Sequence, residues 1–400
     1  MQNLRSGGRR GLRSEPVVAW VGAGVSAEAE DRLLAEGGDR VAWSPSPWRC
    51  PPALRGRIRS AGPGERAVSW LHQAWCRGLT GRHVCPLTDL RSGTGRSGTS
   101  QLADILGEHP QIHRIPVETR FIVDPGGLRD LADALTIRYD PYVGDDALRR
   151  LSEILTVRLV NRRDWDRGHT VSEAIGERHY WDAVGRLWSE LVAGTFDEPV
   201  PAAGSRHAKW PAGPFEPQSF RRVVPRYFSD RRELLGILRR AVDTMFGGAA
   251  SDAGKPTWCE KTSFNLLCMD FLWELVPEAT IVHIKRHPVA VVASHVDQPW
   301  APPTVEGALA WLKPIYERWL AWKATVDLTG RRYVEVRAED LAADWPAQRR
   351  ALFELLGVED FATRSTFQPQ VLAKRNHQFD RGTRDLVERT LGDVIPAMGY

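Results

Sequence analysis

The sequence has few cysteines, and their number and spacing exclude two kinds of small, cross-linked domain. Five cysteines occur in 400 residues, an odd number, and none shows the close CxxC spacing typical of a zinc site or a redox pair. They are Cys50, Cys76, Cys85, Cys259 and Cys268. We therefore expect no disulfide framework, no metal site and a reducing, cytoplasmic compartment.

Long apolar runs are also missing. No run approaches the roughly 18 residues that a membrane-spanning helix needs, so we expect no stable membrane insertion. Residues 17–25 follow Arg9-Arg10, as the apolar stretch of a twin-arginine signal would. The stretch is short and preceded by Glu15, which favours an ordinary N-terminal segment.

Lysine is scarce, and the positive charge is concentrated at one end of the chain. Arginine outnumbers lysine 47 to 7, and 54 basic against 50 acidic residues give a net charge of +4. Residues 1–82 hold 13 arginines, no lysine and 7 acids, a net of +6, which leaves 41 bases and 43 acids, a net of −2, for residues 83–400. A nucleic-acid-binding domain concentrates basic residues on its binding face. The body of the chain lacks that excess, and we expect no nucleic-acid partner.

Composition also divides the chain. Residues 1–82 are rich in Gly, Pro and Arg without sustained periodicity, which predicts a poorly ordered extension or, alternatively, an arm for an anionic partner. Residues 83–400 alternate short apolar strands, such as 280–284 and 332–336, with amphipathic helices. That alternation predicts an α/β fold with a central parallel sheet and helices on both faces. Residues 128–255 read as a mostly helical insertion.

The most informative motif is a glycine-rich stretch, Gly-Thr-Gly-Arg-Ser-Gly-Thr-Ser, at positions 93–100. Glycines let several backbone N–H groups point inward, and the positive end of the next helix adds to them, so such a loop binds phosphate or sulfate-like groups. A Walker A loop would have lysine where Thr99 stands, and the cation of this loop is Arg96. The fold class is therefore a P-loop-containing three-layer α/β fold. The candidate ligand contacts are Gly95, Arg96, Ser97, Gly98, Thr99 and Ser100.

The missing lysine bears on the reaction. An NTPase or kinase also needs a strand-end acid to hold Mg²⁺, whereas the strand 280–284 ends in Lys285-Arg286. A basic residue followed by Ser-Gly-Thr-Ser resembles the loop of the PAPS-dependent sulfotransferases, which holds the 5′-phosphosulfate of the donor. A flexible glycine-rich linker is the alternative interpretation of this stretch taken alone.

Further motifs resemble the same family in the same order. Arg286, followed eight residues later by Ser294, resembles the pair that binds the donor's 3′-phosphate. Glu118-Thr119-Arg120 resembles tyrosylprotein sulfotransferases and related bacterial enzymes, which implies that Glu118 is the catalytic base. Lys261, in Glu-Lys-Thr-Ser, resembles the family's sulfuryl-contacting lysine, with Ser263 in place of proline, although a surface lysine is the alternative.

Two later segments depart from the family or leave their role open. Residues 334–341 resemble a family segment whose tyrosine packs on adenine, but Ala338 stands at that position and Tyr333 is not aligned with it. Residues 374–377, Lys-Arg-Asn-His, are either a loop that closes over the donor or a solvated charge run. Tryptophans 165, 181, 188 and 210 of the insertion could stack on an acceptor or belong to the core.

The resemblance implies a sulfotransferase that moves a sulfuryl group from PAPS to a hydroxyl or amine acceptor and releases PAP, without a metal. Glu118, Arg96 and Lys261 are the implied catalytic residues. A small molecule, a glycan or a peptide would serve as acceptor, and a homodimer is compatible with the sequence. A P-loop nucleotide kinase or NTPase, and a non-catalytic nucleotide-binding protein on the same fold, remain alternatives.

Overall fold

The computed structural model describes residues 87–92, 95–161, 168–198, 220–368 and 378–400. Their contacts separate into two compact units. The first consists of residues 87–115 and 250–400, and the second of residues 116–249. The predicted N-terminal extension, 1–82, lies outside the described residues, and the predicted insertion falls almost entirely within the second unit.

Seven strands form within the described residues. In chain order they are β1 (Leu87–Ser92), β2 (Ile112–Arg114), β3 (Val192–Glu198), β4 (Phe220–Pro225), β5 (Thr257–Lys261), β6 (Thr280–Lys285) and β7 (Arg332–Arg337). The helices are α1 (Thr99–Gly107), α2 (Leu128–Ala134), α3 (Pro141–Glu153), α4 (Leu159–Asn161), α5 (Val171–Ile175), α6 (Glu177–Leu191), α7 (Arg231–Val242), α8 (Gly248–Asp252), α9 (Met269–Leu275), α10 (Pro288–His295), α11 (Val305–Thr325), α12 (Ala338–Ala343), α13 (Trp345–Leu355), α14 (Arg381–Thr390) and α15 (Val394–Ala397).

The first unit is built on a five-stranded sheet with the order β2-β5-β1-β6-β7, and every neighbouring pair is parallel. Parallel strands need crossover connections, and helices of this unit lie in those from β1 to β2, β5 to β6 and β6 to β7, whereas the connection from β2 to β5 contains the second unit. All six residues of β6 are buried, as expected for a strand covered on both faces. The predicted α/β fold with a central parallel sheet is confirmed.

Helix boundaries in this unit follow ordinary capping chemistry. Thr304 accepts a hydrogen bond from the backbone N–H of Gly307 at the start of α11, and Asp344 accepts one from Ala347 at the start of α13. A 3₁₀ turn over Phe264–Leu267 precedes α9. Residues 264–275 therefore form two consecutive elements.

The second unit is mostly helical, as predicted, but it also contains an antiparallel hairpin of β3 and β4 that the sequence analysis missed. Asp230 caps α7 through the backbone N–H of Arg232. A π-helical turn over Asp243–Gly247 then carries the chain from α7 into α8.

Candidate functional site

The glycine-rich loop has the backbone conformation that an anion-binding loop requires. Gly95, Arg96 and Gly98 have φ angles of 75°, 56° and 97°. A glycine is required at 98, because a Cβ there would lie 3.0 Å from the ring of Phe367 as well as in the left-handed region. Arg96 adopts the left-handed conformation without that freedom, and such strain is typical of functional sites.

The N-terminus of α1 is left open for a ligand. Within the described chain no side chain caps this helix, and its first turn contains no acid. The first backbone N–H groups of a helix have no intrahelical partner and carry the positive end of its dipole. Ser97 and Thr99, at this end, are buried, and the Ser97 hydroxyl donates to the carbonyl of Gly95 at 3.3 Å. The loop therefore supplies donors for an anion.

The loop and the second predicted half-site lie together, although 190 residues separate Arg96 from Arg286. Arg96 donates from Nε to the Ser294 hydroxyl at 3.0 Å. Arg286 donates from Nη1 to the carbonyl oxygen of Arg96 at 3.4 Å. Arg286 and Ser294 are 6% and 3% exposed, whereas Arg96 is exposed. Two guanidinium groups and a hydroxyl thus converge beside the loop.

Sheet topology explains this convergence. The carboxyl ends of parallel strands meet at one edge of a sheet, and ligands of open α/β folds bind outside that edge. The loop follows β1, Arg286 follows β6, and β1 pairs directly with β6. Lys261 is the last residue of β5, which pairs with β1 on its other side. Lys261 therefore lies at the same edge as the loop.

The turn that carries Arg286 is held on both sides. Its neighbour Lys285 donates to Glu335 at 2.8 Å and to the carbonyl of Met398 at 3.0 Å. On the other side, Glu339 accepts from the backbone N–H of His287 at 3.0 Å. Tyr400 donates to the second Glu339 oxygen at 2.8 Å, and its ring lies 5.1 Å from that of His287. Residues 398–400 therefore fix the turn, and the sequence analysis did not single them out.

Glu260 is a second residue that the sequence analysis passed over. β5 is the other neighbour of β1 in the sheet and carries Glu260 next to its last residue. This carboxylate is completely buried and accepts a hydrogen bond from Thr262 at 2.5 Å. The strand that the sequence singled out, β6, indeed ends at Lys285 and is followed by Arg286, but an acid lies on β5, whose place beside β1 could not be read from the sequence.

Glu118, the predicted base, belongs to the second unit and is half-buried. The segment around it is unusual, because Arg120 is the other non-glycine residue with a positive φ, 59°, among the described residues. Arg120 pairs with Asp124 at 2.7 Å. Burial raises the pKa of Asp124, the Glu118 charge adds to that rise, and Arg120 opposes it. Two interacting carboxyl groups therefore lie in a strained turn, and proton transfer could use either.

Two histidines, His109 and His113, lie close to Glu118 in the sequence and could be considered as bases. His109 accepts from the backbone N–H of Gln111 at Nδ1, so its Nε2 proton is donated to the carbonyl of Glu359. Both ring nitrogens thus have structural partners, which makes His109 unsuitable as a base. His113 has a buried Nε2 without a hydrogen-bond partner among the described residues, and burial lowers its pKa to about 4.

Some of the remaining predicted residues are described by the structure, and others lie outside the described part. Ala338 is completely buried at the start of α12. Tyr333 forms hydrogen bonds with His283 and Glu335 in a network between β6 and β7. Its side chain therefore has a structural role and does not replace the missing tyrosine that would pack on adenine. Trp181 and Trp188 lie on α6, and Trp188 lines a small apolar cavity of about 70 Å³. Tryptophans 165 and 210, cysteines 50, 76 and 85, and residues 374–377 lie outside the described residues.

The described residues contain no cluster of three or more histidine, cysteine or acidic side chains suited to a metal ion. In the same part of the chain, no helix is both long and apolar enough to cross a membrane. Cys259 and Cys268 are buried free thiols.

Comparison with known proteins finds a similarity to one protein family. The model of the sulfotransferase family matches residues 200–362, a region that includes Lys261, Arg286 and Ser294. The resemblance to sulfotransferases is confirmed. No curated protein matches the chain. The tyrosylprotein-like branch remains a prediction.

Solved sulfotransferases give weaker likenesses. The sulfotransferase domain of the Synechococcus PCC 7002 olefin synthase is 16% identical with a TM-score of 0.37, and the alignment covers 75% of this chain and 92% of that one. A sulfotransferase from Alicyclobacillus acidocaldarius has the same identity and TM-score, with 77% and 92% covered. Likenesses at this level decide nothing about the site, whose description rests on the residues of this chain.

Proposed function

We propose that this protein transfers a sulfuryl group from PAPS to a hydroxyl or amine acceptor. The observation that carries the proposal is the contact between the two predicted half-sites, with Arg96 bonded to Ser294 and Arg286 bonded to the Arg96 backbone. PAPS carries phosphate at its 3′ position and phosphosulfate at its 5′ position. A loop at a helix N-terminus and a buried arginine beside it are suited to those two anionic groups.

Each cation has a distinct task in this proposal. The loop N–H groups, with Ser97, Thr99 and Ser100, bind the 5′-phosphosulfate. Arg286 and Ser294 bind the 3′-phosphate, where a guanidinium gives charge-assisted hydrogen bonds and a hydroxyl adds a neutral one. Arg96 belongs to both half-sites, because its backbone is part of the loop and its side chain donates a hydrogen bond to Ser294.

The transfer itself needs a base and a stabilised leaving group. Glu118 takes the acceptor proton while the acceptor oxygen or nitrogen forms a bond to sulfur. The bond from sulfur to the bridging phosphate oxygen breaks on the opposite side, and PAP leaves with that electron pair. Arg96 and Lys261 stabilise the charge that develops on the bridging and sulfuryl oxygens. The leaving group is an already ionised phosphate held by cations, so this scheme uses no metal.

The buried Glu260 gives the kinase or NTPase alternative one favourable observation. An acid on the strand beside the loop strand is where a P-loop NTPase holds Mg²⁺. Thr99 replaces the lysine that such enzymes place on the β- and γ-phosphates, and the convergent arginines suit a 3′-phosphate that ATP lacks. We therefore favour PAPS as the nucleotide.

Thermal melting with added nucleotides separates these functions. PAP and PAPS should each raise Tm, and ATP with Mg²⁺ should not. Labelled PAPS with a panel of phenols, sugars, amines and tyrosine peptides should then give a labelled product. Stabilisation by ATP-Mg²⁺ alone would favour the NTPase alternative, and stabilisation by PAP without transfer to any acceptor would favour a non-catalytic nucleotide-binding protein. Neither outcome is compatible with the proposal.

A further inference from the structure

The large apolar side chains that are exposed concentrate in one region of the second unit. Eight such side chains occur among the described residues, and six of them are Ile137, Tyr142, Val143, Phe196, Val224 and Tyr227. Ile137 is 76% exposed and Tyr142 is 67% exposed. Single exposed apolar residues are ordinary, whereas a contiguous group marks an interaction site. We call these six residues, with Tyr139, the tyrosine patch.

Contacts link several members of the tyrosine patch to one another or to the hairpin. The rings of Tyr139 and Tyr227 lie 4.8 Å apart, and Tyr139 donates to the carbonyl of Pro225 at the end of β4. The Arg222 guanidinium lies 5.4 Å from the ring of Tyr142. Phe196 is paired with Arg222 across the hairpin, so their side chains share one face. The members of the patch therefore lie on the hairpin, at the start of α3 and in the segments before α3 and after β4.

Two exposed arginines lie beside patch members in the sequence. Arg138 and Arg226 are exposed, and neither makes an ion pair with any described residue. The acids near them are already committed. Asp140 caps α3, Asp145 pairs with Arg222, and Asp133 pairs with Arg231. Exposed tyrosine beside unpaired arginine is the composition typical of a protein-binding surface.

We propose that the tyrosine patch, with Arg138 and Arg226, binds a partner-protein segment that carries both acidic and apolar side chains. Charge complementarity selects this occupant. A second copy of the chain, docked about a two-fold axis on the same patch, would bring these arginines towards their own equivalents. Residues 1–82 carry a net charge of +6 and would be repelled as well. The aliphatic members of the patch suit leucine-like or aromatic side chains better than they suit a sugar.

A random dodecapeptide library displayed on phage provides an unbiased probe of this surface. Selection on immobilised full-length protein should enrich peptides that combine Asp or Glu with Leu, Phe or Trp. An enriched peptide, synthesised with a fluorophore, should bind the double variant Arg138→Glu, Arg226→Glu about tenfold or more weakly, because the reversed charges repel it. The matched control is Arg186→Glu, Arg389→Glu, which makes the same charge change at two exposed arginines that are not members of the patch and should bind like wild type.

Several outcomes would overturn the proposal. Selection that enriches no acidic peptides, or peptides that bind both double variants equally well, would show that the patch does not recognise them. Sedimentation of a wild-type dimer that dissociates in Tyr142→Ser, Tyr227→Ser would assign the patch to a second copy. Binding to phosphatidylserine vesicles that Arg138→Glu, Arg226→Glu abolishes, without peptide binding, would assign it to a lipid surface. Melting curves of each variant establish that it is folded.

Discussion

Arg96 combines two features that rarely coincide in one residue. Its backbone takes a left-handed conformation that costs about 1–3 kcal/mol for a non-glycine residue, and its side chain bonds Ser294. Glycine would relieve the strain but would remove the cation. Retention of arginine at this position agrees with a role for the guanidinium in binding the donor.

Replacement of Arg96 by alanine should therefore slow sulfuryl transfer by about 10²–10³-fold, the usual cost of removing one stabilising donor. Replacement of Ser294 by alanine is the matched test of their contact and should weaken PAP binding with a smaller effect on kcat. Single-turnover rates and PAP titration calorimetry measure the two effects. Equal losses in kcat for both variants would contradict the proposal that Arg96 acts mainly in the transfer step and Ser294 mainly in binding the donor.

Glu118→Gln should abolish turnover while leaving PAP affinity unchanged, because the amide cannot take the acceptor proton. Asp124→Asn is the control, since Asp124 lies in the same strained turn and pairs with Arg120. Near wild-type activity in Glu118→Gln combined with loss in Asp124→Asn would assign the base to Asp124. If both variants were active, His113 would be the next candidate, because both nitrogens of His109 are already bonded.

At the scale of elements, residues 394–400 act on the proposed 3′-phosphate site through the turn at Arg286. Tyr400 holds Glu339 by a hydrogen bond and packs against His287, while the Arg337 guanidinium lies 4.4 Å from its ring. Tyr400→Ala should raise the Kd for PAP and the KM for PAPS several-fold with little change in kcat. Tyr400→Phe, which keeps the ring, should recover most of the affinity.

A general loss of stability would not produce that pattern. It would lower Tm and active fraction without changing KM, and PAP would still bind the folded molecules normally. If Tyr400→Ala lowers kcat alone, or if the phenylalanine variant is as weak as the alanine variant, Tyr400 does not position Arg286 in this way. Arg286→Ala is the reference variant, since it removes the contact itself.

Elements differed in how well the sequence predicted them, for physical reasons. β6 was predictable because every one of its residues is buried and Ile281, Val282 and Ile284 make most of its centre apolar. The β3–β4 hairpin was not, since most residues of β3 are exposed and its sequence lacks a strong apolar alternation. The strand order was beyond a local pattern, which is why Glu260 was overlooked on β5. Arg96, Arg286 and Ser294 were found because each belongs to a short motif of its own.

For the molecule as a whole, acid stability should depend on one buried network between β6 and β7. Burial opposes ionisation of Glu335, but hydrogen bonds from Lys285 and Lys323 outweigh it and hold the pKa of Glu335 at about 2. A carboxyl with a lowered folded-state pKa stabilises the protein above its unfolded pKa, and that contribution is lost as pH falls through the folded value. The loss should therefore occur between about pH 5 and pH 2.

Melting temperatures measured across that range test this dependence. Wild type should lose stability steeply towards pH 2, by up to about 3 kcal/mol from this group. Glu335→Gln should have a lower Tm than wild type at pH 7, and its Tm should fall less as the pH is lowered from about 5 to 2. Lys323→Met serves as a second variant, because it keeps the carboxyl and removes one of its donors. If Tm fell equally in wild type and Glu335→Gln over that pH range, Glu335 would not be the cause of the acid destabilisation.

The uneven distribution of charge leads to the last prediction. Residues 1–82 carry a net charge of +6 and residues 83–400 a net of −2, while every residue proposed to bind or transfer the sulfuryl group lies between 95 and 294. Deletion of residues 1–80 should therefore leave Tm, PAP affinity and transfer rate unchanged at about 0.15 M salt, where the Debye length is about 8 Å. The donor is an anion, so a basic extension could still attract it at low ionic strength. A loss of kcat/KM confined to about 0.01 M salt would indicate such long-range attraction, because the Debye length there is about 30 Å. Failure of the truncated chain to fold would show instead that the extension belongs to the catalytic body.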